Sequence, residues 1–140
     1  VTAIDETLEK TNLGQLVEHD FVNLERCMAM NGRLDGHMVY GHVDQIATCM
    51  TIEQNEGSTL FTFEYKQKGD NVLVEKGSVT INGISLTVFN VIDNKFTVAI
   101  IPYTLEHTNL KHLKERQYVN LEFDILGKYI HKILSSQNLL

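Results

Sequence analysis

Hydroxyl side chains beside a tight turn are the residues of this sequence whose types and spacing suit binding chemistry. Ser85 and Thr87 alternate along a predicted strand that directly follows Asn82-Gly83. Such a pair can hydrogen-bond the edge of a flat heterocycle without imposing a charge. The same alternation is typical of the solvated face of an antiparallel strand, and the pattern alone favours this structural interpretation.

Two histidines and one aspartate are further candidates for proton transfer. His37 and His42 each follow a glycine and are five positions apart. On a strand they would face opposite sides, which argues against a shared metal site. Either could carry a proton, because histidine titrates near neutral pH, although a surface or core histidine is commoner. Asp124 ends the last predicted strand, where a carboxylate is usually solvated. The sequence lacks metal-ligand spacing, a phosphate loop and a Ser-His-Asp motif, so we expect no metal site.

An internal repeat organises the chain. Residues 6–25 align without a gap on residues 103–122, with 12 identities in 20 positions at an offset of 97. Chance does not produce this, so we predict a duplication. The first copy lies at the start of the chain, and Val1 replaces a methionine there. We therefore expect one complete repeat and the tail of another, in a truncated or processed chain.

Short segments of alternating hydrophobicity predict strands. We expect them over 43–53, 59–65, 78–82, 84–89, 96–101 and 118–124, with Ile46, Met50 and Ile52 on one face of the first. In the first copy we predict a helix over 5–13 and a strand ending at 22–26. Pro102 should stop a strand and open a short helix. The prediction is an all-β fold of tandem six-stranded Greek-key-like β-barrels, one complete and one partial, since closure removes exposed edges.

The last predicted element is an amphipathic C-terminal helix over 125–136. Its apolar residues recur at helical spacing: Ile125, Leu126, Tyr129, Ile130, Ile133 and Leu134. The helix could pack on its own barrel or against the same helix of other subunits, and the spacing slightly favours the first. The predicted domains are 1–30 (the tail of an N-terminal barrel), 31–124 (the C-terminal barrel) and 125–140 (the helix).

Composition narrows the class of protein. The chain has 140 residues, 43% of them hydrophobic, and a net charge of −6. This charge argues against nucleic-acid binding, which needs clustered basic residues. The sequence has no apolar run of about 18–20 residues that could span a membrane. Cys27 and Cys49 lack motif spacing and are interpreted as reduced thiols of a cytoplasmic protein.

Several motifs together cover nearly the whole chain in one order. They are Glu6-Thr7-Leu8-Glu9-Lys10-Thr11-Asn12-Leu13-Gly14, Gly36-His37-Met38-Val39-Tyr40-Gly41-His42-Val43-Asp44, Glu75-Lys76-Gly77-Ser78-Val79-Thr80-Ile81-Asn82-Gly83-Ile84-Ser85-Leu86-Thr87-Val88, Ile101-Pro102-Tyr103-Thr104-Leu105 and Val119-Asn120-Leu121-Glu122-Phe123-Asp124. With these motifs the chain resembles the riboflavin synthases, as an N-terminally incomplete member without the first copy of the Asn-Gly hairpin.

The resemblance implies a lumazine-binding barrel and an enzyme activity. Riboflavin synthases transfer a four-carbon unit between two molecules of 6,7-dimethyl-8-ribityllumazine, giving riboflavin and 5-amino-6-(ribitylamino)uracil. No cofactor is implied, because the substrate's own ring system activates its methyl group. The family further implies a homotrimer held by C-terminal helices, an active site between barrels of two subunits, and lumazine synthase as a further partner. The alternatives are a non-catalytic lumazine- or flavin-binding antenna protein and a purely structural barrel.

The resemblance also assigns site residues. It implies catalytic or orienting roles for His42, Ser85, Thr87 and Asp124. The substrate contacts that it implies are Thr2, Ala3, Ile4, Asp5, Glu6, Thr7, Gly41, His42, Val43, Lys76, Ser85, Leu86, Thr87, Ala99, Ile100, Ile101, Pro102, Tyr103 and Thr104. Within this set, Ser85 and Thr87 would hold the ring edge, and Lys76 and Thr104 would hold the ribityl chain or ring carbonyls.

Overall fold

Six antiparallel strands form a closed barrel in the computed structural model, which describes residues 2–69 and 71–137. The strands are β1 (Gln45–Asn55), β2 (Ser58–Tyr65), β3 (Ser78–Ile81), β4 (Ile84–Ile92), β5 (Lys95–Ile100) and β6 (Tyr118–Phe123). The helices are α1 (Asp5–Lys10), α2 (Pro102–His107) and α3 (Ile125–Ser136), and single 3-10 turns cover Asn12–Gln15 and Asn109–His112. Val1, Asp70 and 138–140, which fall in the three predicted domains, lie outside the described residues.

The strand order identifies the topology. Around the barrel the strands follow the order β1-β2-β5-β4-β3-β6. The hairpin-connected strands β3, β4 and β5 are followed by β6, which returns beside β3 through the connection containing α2. This is a Greek key. The prediction of an all-β fold with a six-stranded barrel is confirmed.

The barrel core consists of the inward-facing residues of each strand. Phe61, Phe63, Phe96, Leu121 and Phe123 are at most 1% exposed. The predicted alternation on β2 to β6 is confirmed, since the partly buried Ile84 and Leu86 also pack against this core. The two faces of each strand are therefore known, and Ser85 and Thr87 belong to the outer face.

The prediction that Ile46, Met50 and Ile52 share one face of β1 is wrong. The buried residues there are Gln45, Ala47 and Cys49, whereas Ile46 and Met50 are half-buried on the other face. A bulge between Cys49 and Thr51 interrupts the pairing with β2, and a bulge adds one residue and reverses the alternation. After the bulge Ile52 packs against the core, so the three predicted residues do not share one face.

The turn and helix predictions of the second repeat are confirmed. Asn82 and Gly83 have φ angles of +48° and +85°, as the tight hairpin between β3 and β4 requires. Pro102 begins α2, where its missing N–H leaves no hydrogen bond unmade. The C-terminal helix α3 begins after Asp124, whose side chain accepts a hydrogen bond from the N–H of Leu126.

The first repeat segment departs from the prediction. The predicted helix over 5–13 divides at Thr11 into α1 and a 3-10 turn, and the Thr11 side chain accepts from the N–H of Leu13. The predicted strand ending at 22–26 is absent: residues 16–44, all of them described, contain no helix or strand. Its counterpart at 119–122 lies in β6 between β1 and β3. A strand needs such neighbours, and residues 22–26 have none.

The two repeat segments nevertheless share local structure at an offset of 97. Helix α1 and α2, and the two 3-10 turns, begin and end at equivalent positions. Thr11 and Thr108 each donate from the hydroxyl to the carbonyl four residues earlier, at 2.6 and 2.8 Å. His19 and Arg116 both have left-handed φ angles, +78° and +69°. Equivalent sequence thus produces equivalent structure outside the barrel strands.

Candidate active site

An opening in the strand ladder lies between β4 and β5. Their residue pairs are Val88–Val98, Phe89–Thr97 and Ile92–Lys95. Within the described part of the chain, residues 84–87 of β4 pair only with β3, and 99–100 of β5 pair only with β2. The β4 and β5 backbones therefore stop pairing at the end of the barrel that leads into α2.

The backbone of Ser85 and Thr87 faces this opening. Val88 donates to the carbonyl of Gly77 and accepts from the N–H of Lys76, so its backbone groups point toward the β3 side. Backbone polar groups alternate in direction along a strand. The N–H and C=O groups of Ser85 and Thr87 therefore point away from β3, toward β5. They form a row of donors and acceptors that suits the amide-like edge of a flat heterocycle.

A histidine links the hydroxyls on the outer face of the barrel. His37 Nδ1 lies 2.7 Å from Ser85 Oγ, and its Nε2 lies 3.1 Å from Thr80 Oγ1. Ser85 and Thr80 are paired across β4 and β3. An imidazole with hydroxyl partners at both nitrogens can relay a proton to or from Ser85.

Gly36 allows this close approach. A Cβ at position 36 would lie 2.6 Å from Ser85 Oγ, and the Gly36 φ angle is +138°. Both the contact distance and the backbone conformation exclude an ordinary side chain there. The neighbouring His37 N–H also donates to Ser85 Oγ, at 3.2 Å. The glycine thus brings the chain onto Ser85.

Residues 36–40, here called the strap, lie across the outer face of β3, β4 and β6. Their first end is fixed at Ser85 through His37. Their last end is fixed by Tyr40, whose N–H donates to Glu122 Oε1 at 2.8 Å. The strap borders a cleft of about 1,420 Å³, whose other walls are residues 21–29, residues 106–112 and the Asn82-Gly83 turn. This volume is sufficient for a bicyclic ligand that carries a chain.

The four predicted catalytic residues do not form one cluster. Ser85 is half-buried and bonded to His37, whereas Thr87 is exposed. His42 is exposed and stacks on Tyr40 with ring centroids 6.0 Å apart. Asp124 is half-buried, and its Oδ1 caps α3 by accepting from the N–H of Leu126. Among the described residues, no hydrogen bond joins His42, Thr87 and Asp124.

The predicted contact residues of β4 and of the β5–α2 corner surround the opening. Lys76 is exposed, and its N–H donates to the Val88 carbonyl where the opening begins. Ile100 is only 1% exposed and faces the core, so it can meet a ligand through its backbone alone. Gly41, Ala99, Ile101, Pro102 and Tyr103 are exposed, and Val43, Leu86 and Thr104 are half-buried.

The predicted N-terminal contacts lie around the start of α1. The exposed residues are Thr2, Ile4, Asp5 and Glu6, and the half-buried ones are Ala3 and Thr7. Glu6 forms an ion pair with Lys10, and this partner keeps the pKa of the Glu6 carboxyl below its ordinary value. None of the hydrogen bonds of these six residues reaches β4 or the strap within the described chain.

Sequence reasoning missed the contacts of two residues of the candidate site. His37 was a candidate proton carrier together with His42, but its contact with Ser85 was not predicted, and Glu122 was noted only within the repeat and the family motif. The glycine before His37 was the available signal, because a glycine with a positive φ permits close backbone contact. Glu122 carried no signal, since alternation predicts a solvated outer-face carboxylate.

The two cysteine thiols are not part of the candidate site. Burial raises the pKa of the Cys49 thiol to about 11, and Cys27 is exposed. The part of the chain that the structure describes contains no group of three or more His, Cys, Asp or Glu residues that could hold a metal ion. None of its helices is long and apolar enough to cross a membrane.

A family model for the lumazine binding domain matches residues 40–124, which include all six strands, His42, Ser85, Thr87 and the last residue before α3. The chain belongs to the lumazine binding domain family. The lumazine-binding barrel that the resemblance to the riboflavin synthases implied is thereby confirmed.

Several curated relatives of this chain are riboflavin synthases. The chain is 47% identical over 131 residues to a riboflavin synthase of Actinobacillus pleuropneumoniae, covering 94% of this chain and 61% of the relative. It is 37% identical over 138 residues to that of Bacillus subtilis, covering 99% and 64%. For the riboflavin synthase of Mycobacterium tuberculosis the identity is 39%, covering 94% and 67%. The chain thus spans about three fifths to two thirds of the length of these relatives.

Solved structures with the same fold include complexes of LumP. A LumP–riboflavin complex superposes with a TM-score of 0.77 at 23% identity, covering 86% of this chain and 65% of that one. A complex with 6,7-dimethyl-8-(1'-D-ribityl) lumazine gives 0.75 at 23% identity, covering 85% and 64%. At this identity the similarity establishes the fold.

Proposed function

We propose that this chain is part of a riboflavin synthase and that its barrel binds one molecule of 6,7-dimethyl-8-ribityllumazine. The reaction transfers a four-carbon unit from one lumazine to a second, which yields riboflavin and 5-amino-6-(ribitylamino)uracil. The identities of 37–47% to three named riboflavin synthases support this activity. The proposal uses no cofactor, because the reacting heterocycle supplies its own electron sink.

The opening between β4 and β5 is the observation that carries the proposal. The pyrimidine edge of a lumazine presents alternating N–H and C=O groups, and the backbone row at Ser85 and Thr87 is complementary to it. Such a ring would take the place of the missing strand pairing. Positioning two rings face to face can lower a reaction barrier by about 7–11 kcal/mol. The main catalytic contribution of the protein would therefore be to hold the two rings in this geometry.

Proton transfer is assigned to the side chains around the ring. Ser85 with His37 is a candidate relay, because the imidazole contacts the Ser85 hydroxyl at 2.7 Å. His42 and Thr87 are exposed and free to contact a ligand or a second barrel. For Asp124 the proposed role is limited to Oδ2, since Oδ1 caps α3. Lys76 and Thr104 would hold the ribityl chain or the ring carbonyls.

Assembly is part of the proposal. We assign residues 1–30 to the end of an N-terminal barrel, residues 31–124 to a C-terminal barrel and residues 125–140 to an oligomerisation helix. The shared local structure of the two repeat segments supports an internal repeat. The apolar face of α3 supports packing between subunits, because its large apolar residues are 54–64% exposed. These residues are Leu126, Tyr129, Ile130 and Ile133. The proposed assembly is a cytoplasmic homotrimer with its active site between barrels of two subunits, and lumazine synthase is a proposed partner.

Ligand titration and turnover test the function. The protein is titrated with 6,7-dimethyl-8-ribityllumazine by fluorescence, and riboflavin formation is followed by absorbance. Thr87→Val removes the side-chain hydroxyl and keeps the backbone groups, so it should weaken binding without abolishing it, whereas Thr51→Val, at an exposed position of a strand that does not border the opening, should leave binding unchanged. Binding with turnover supports the synthase, and binding without turnover by a chain of the relatives' full length would favour the antenna protein. Absence of binding would leave a structural barrel.

A further inference from the structure

Glu122 is a buried carboxylate on the outer face of the barrel. Glu122 is only 5% exposed, although it lies between Leu121 and Phe123, which face the core. An outer-face residue of β6 would ordinarily be solvated. The strap covers it instead, and burying a carboxylate is unfavourable unless it receives a hydrogen bond.

The hydrogen bond that Glu122 receives is the last anchor of the strap. Tyr40 N–H donates to Glu122 Oε1 at 2.8 Å. The strand register places Glu122 opposite Thr80, and Thr80 opposite Ser85. One row across three strands therefore holds both ends of the strap, with His37 bonded to Ser85 and Thr80 and the Tyr40 amide bonded to Glu122.

The chain changes direction immediately after this anchor. Gly41 has a left-handed φ angle of +73° with open space around it, and His42 follows, stacked on Tyr40. The position of the Tyr40 amide thus determines where Gly41 turns and where His42 is presented. The hydrogen bond from the Tyr40 N–H to the buried Glu122 side chain therefore gives the strap a fixed end point.

We propose that Glu122 is a positioning residue that fixes the strap, and through it His37 and His42, for ligand binding at the opening. This proposal rests on the proposed lumazine-binding function. Glu122 acts through the Tyr40 amide and does not itself contact the ligand. It follows that an acceptor oxygen at this position is required, whereas the negative charge is secondary.

Three variants of the protein test the role. Glu122→Leu substitutes an apolar side chain and removes the acceptor, whereas Glu122→Gln keeps an acceptor oxygen. Glu115→Leu is the matched control, because Glu115 also accepts from a backbone N–H, that of Ile52 at 3.2 Å. The measurements are the Kd for 6,7-dimethyl-8-ribityllumazine and the hydrogen-exchange rate of the Tyr40 amide.

We expect E122L to raise the Kd about tenfold and to accelerate exchange at Tyr40 at least as strongly, because the Tyr40 N–H loses its acceptor. E122Q should stay within about twofold of the wild type on both measurements, as should E115L. An unchanged Kd in E122L would overturn the positioning role. A Kd raised equally in E122Q and E122L would also overturn it, because charge rather than the acceptor would then matter.

Folding and function remain separable in this design. If E122L does not fold, Glu122→Asp withdraws the carboxylate by one methylene, and we expect the same increase in Kd; a wild-type Kd in E122D would overturn the proposal. Absence of lumazine binding by the wild type and by E115L would contradict the proposed function directly, and the positioning role would fail with it. Binding by both with no change in E122L contradicts the positioning role alone.

Discussion

The side-chain oxygen of Asn120 accepts a hydrogen bond from the backbone N–H of Asn12 at 2.7 Å. The same bond occurs with the partners exchanged between the segments, since Asn23 Oδ1 accepts from the N–H of Asn109 at 2.7 Å. Asn12 and Asn109 are 97 residues apart, as are Asn23 and Asn120. Each repeat segment thus contributes an asparagine, Asn120 in β6 or its counterpart Asn23, that holds the 3-10 turn of the other segment.

The side-chain amides of the two turn asparagines follow the same rule. Asn12 Nδ2 donates to the carbonyl of Tyr118 at 3.1 Å, and Asn109 Nδ2 donates to that of Phe21 at 3.3 Å. Reciprocal contacts of this kind are expected between two units related by an approximate twofold axis. They explain how residues 21–23 keep a defined position without belonging to a strand.

The reciprocal bonds predict a loss of stability on substitution in either segment. Asn120→Ala and Asn23→Ala should each lower the free energy of unfolding by about 1–2 kcal/mol, because each leaves a backbone N–H without its acceptor. Urea denaturation measures this. Asn55→Ala, at an exposed position at the end of β1, should change it by less than about 0.5 kcal/mol. A large loss for Asn120 with none for Asn23 would show that the first segment contributes no stability.

Asn82 is hydrogen-bonded to one asparagine of each reciprocal pair, so its substitution should lower the free energy of unfolding further. Its Oδ1 accepts from the N–H of Asn120 at 2.8 Å, and its Nδ2 donates to Asn109 Oδ1 at 3.2 Å. Asn82→Gly loses these bonds but tolerates the φ angle of +48°, whereas Asn82→Ala also incurs backbone strain. We expect losses of about 1–2 and 2–3 kcal/mol respectively by urea denaturation. Equal losses would mean that the turn conformation contributes nothing.

Gly36→Ala should damage the site more than the fold. Its Cβ would lie 2.6 Å from Ser85 Oγ, so the strap must move and His37 must leave Ser85. We expect lumazine affinity to fall about tenfold or more, measured by fluorescence titration. Gly57→Ala is the control, because Gly57 has a φ angle of +82° but open space around it. Equal affinity losses in the two variants would contradict a specific contact with Ser85.

Asp44 joins the start of β1 to α3. Its carboxylate accepts from Lys128 Nζ at 2.6 and 2.7 Å and from the N–H of Phe123 at 2.8 Å. Asp44→Ala should lower the free energy of unfolding by about 1–3 kcal/mol, since the pair is largely shielded and charge-assisted. Glu64→Ala breaks the more exposed pair with Lys95 and should cost less than about 1 kcal/mol. Thermal unfolding compares the two, and a larger loss for Glu64 would contradict this ranking.

The Cys49 thiol predicts a loss of stability at alkaline pH. Burial raises its pKa from 9.0 to about 11 in the folded protein, so the unfolded chain releases the proton first as pH rises. Between about pH 9 and 11 this contributes a decline in the free energy of unfolding of up to about 1.4 kcal/mol per pH unit. Urea denaturation at several pH values should show a shallower decline for Cys49→Ala, and parallel curves would contradict the assignment.

Most of the barrel could be predicted because its strands obey simple alternation. Phe61 and Phe63, or Phe96 and Val98, are inward residues two positions apart, and the Asn82-Gly83 turn fixed the β3–β4 hairpin. The face of β1 could not be predicted, because a bulge at Cys49/Thr51 depends on the pairing with β2. The absence of a strand at 22–26 depends likewise on neighbours that the local sequence does not encode.

The candidate site could likewise be predicted only in part. Ser85 and Thr87 were found from their shared outer face, and the resemblance supplied the β5–α2 corner. The contacts of His37 and Glu122 were missed because their partners, Ser85 and the Tyr40 amide, are 48 and 82 positions away. Contacts over such distances in sequence arise only when the strap crosses three strands.

The opening between β4 and β5 has a consequence for how recognition could change during evolution. Backbone groups do not depend on side-chain identity, so Ser85 and Thr87 would present the same donors and acceptors after many substitutions. What they do depend on is strand register, and a slip of one residue would turn these groups toward β3. An insertion or deletion at the Asn82-Gly83 turn would therefore alter ligand selectivity more than most replacements of the residues lining the opening.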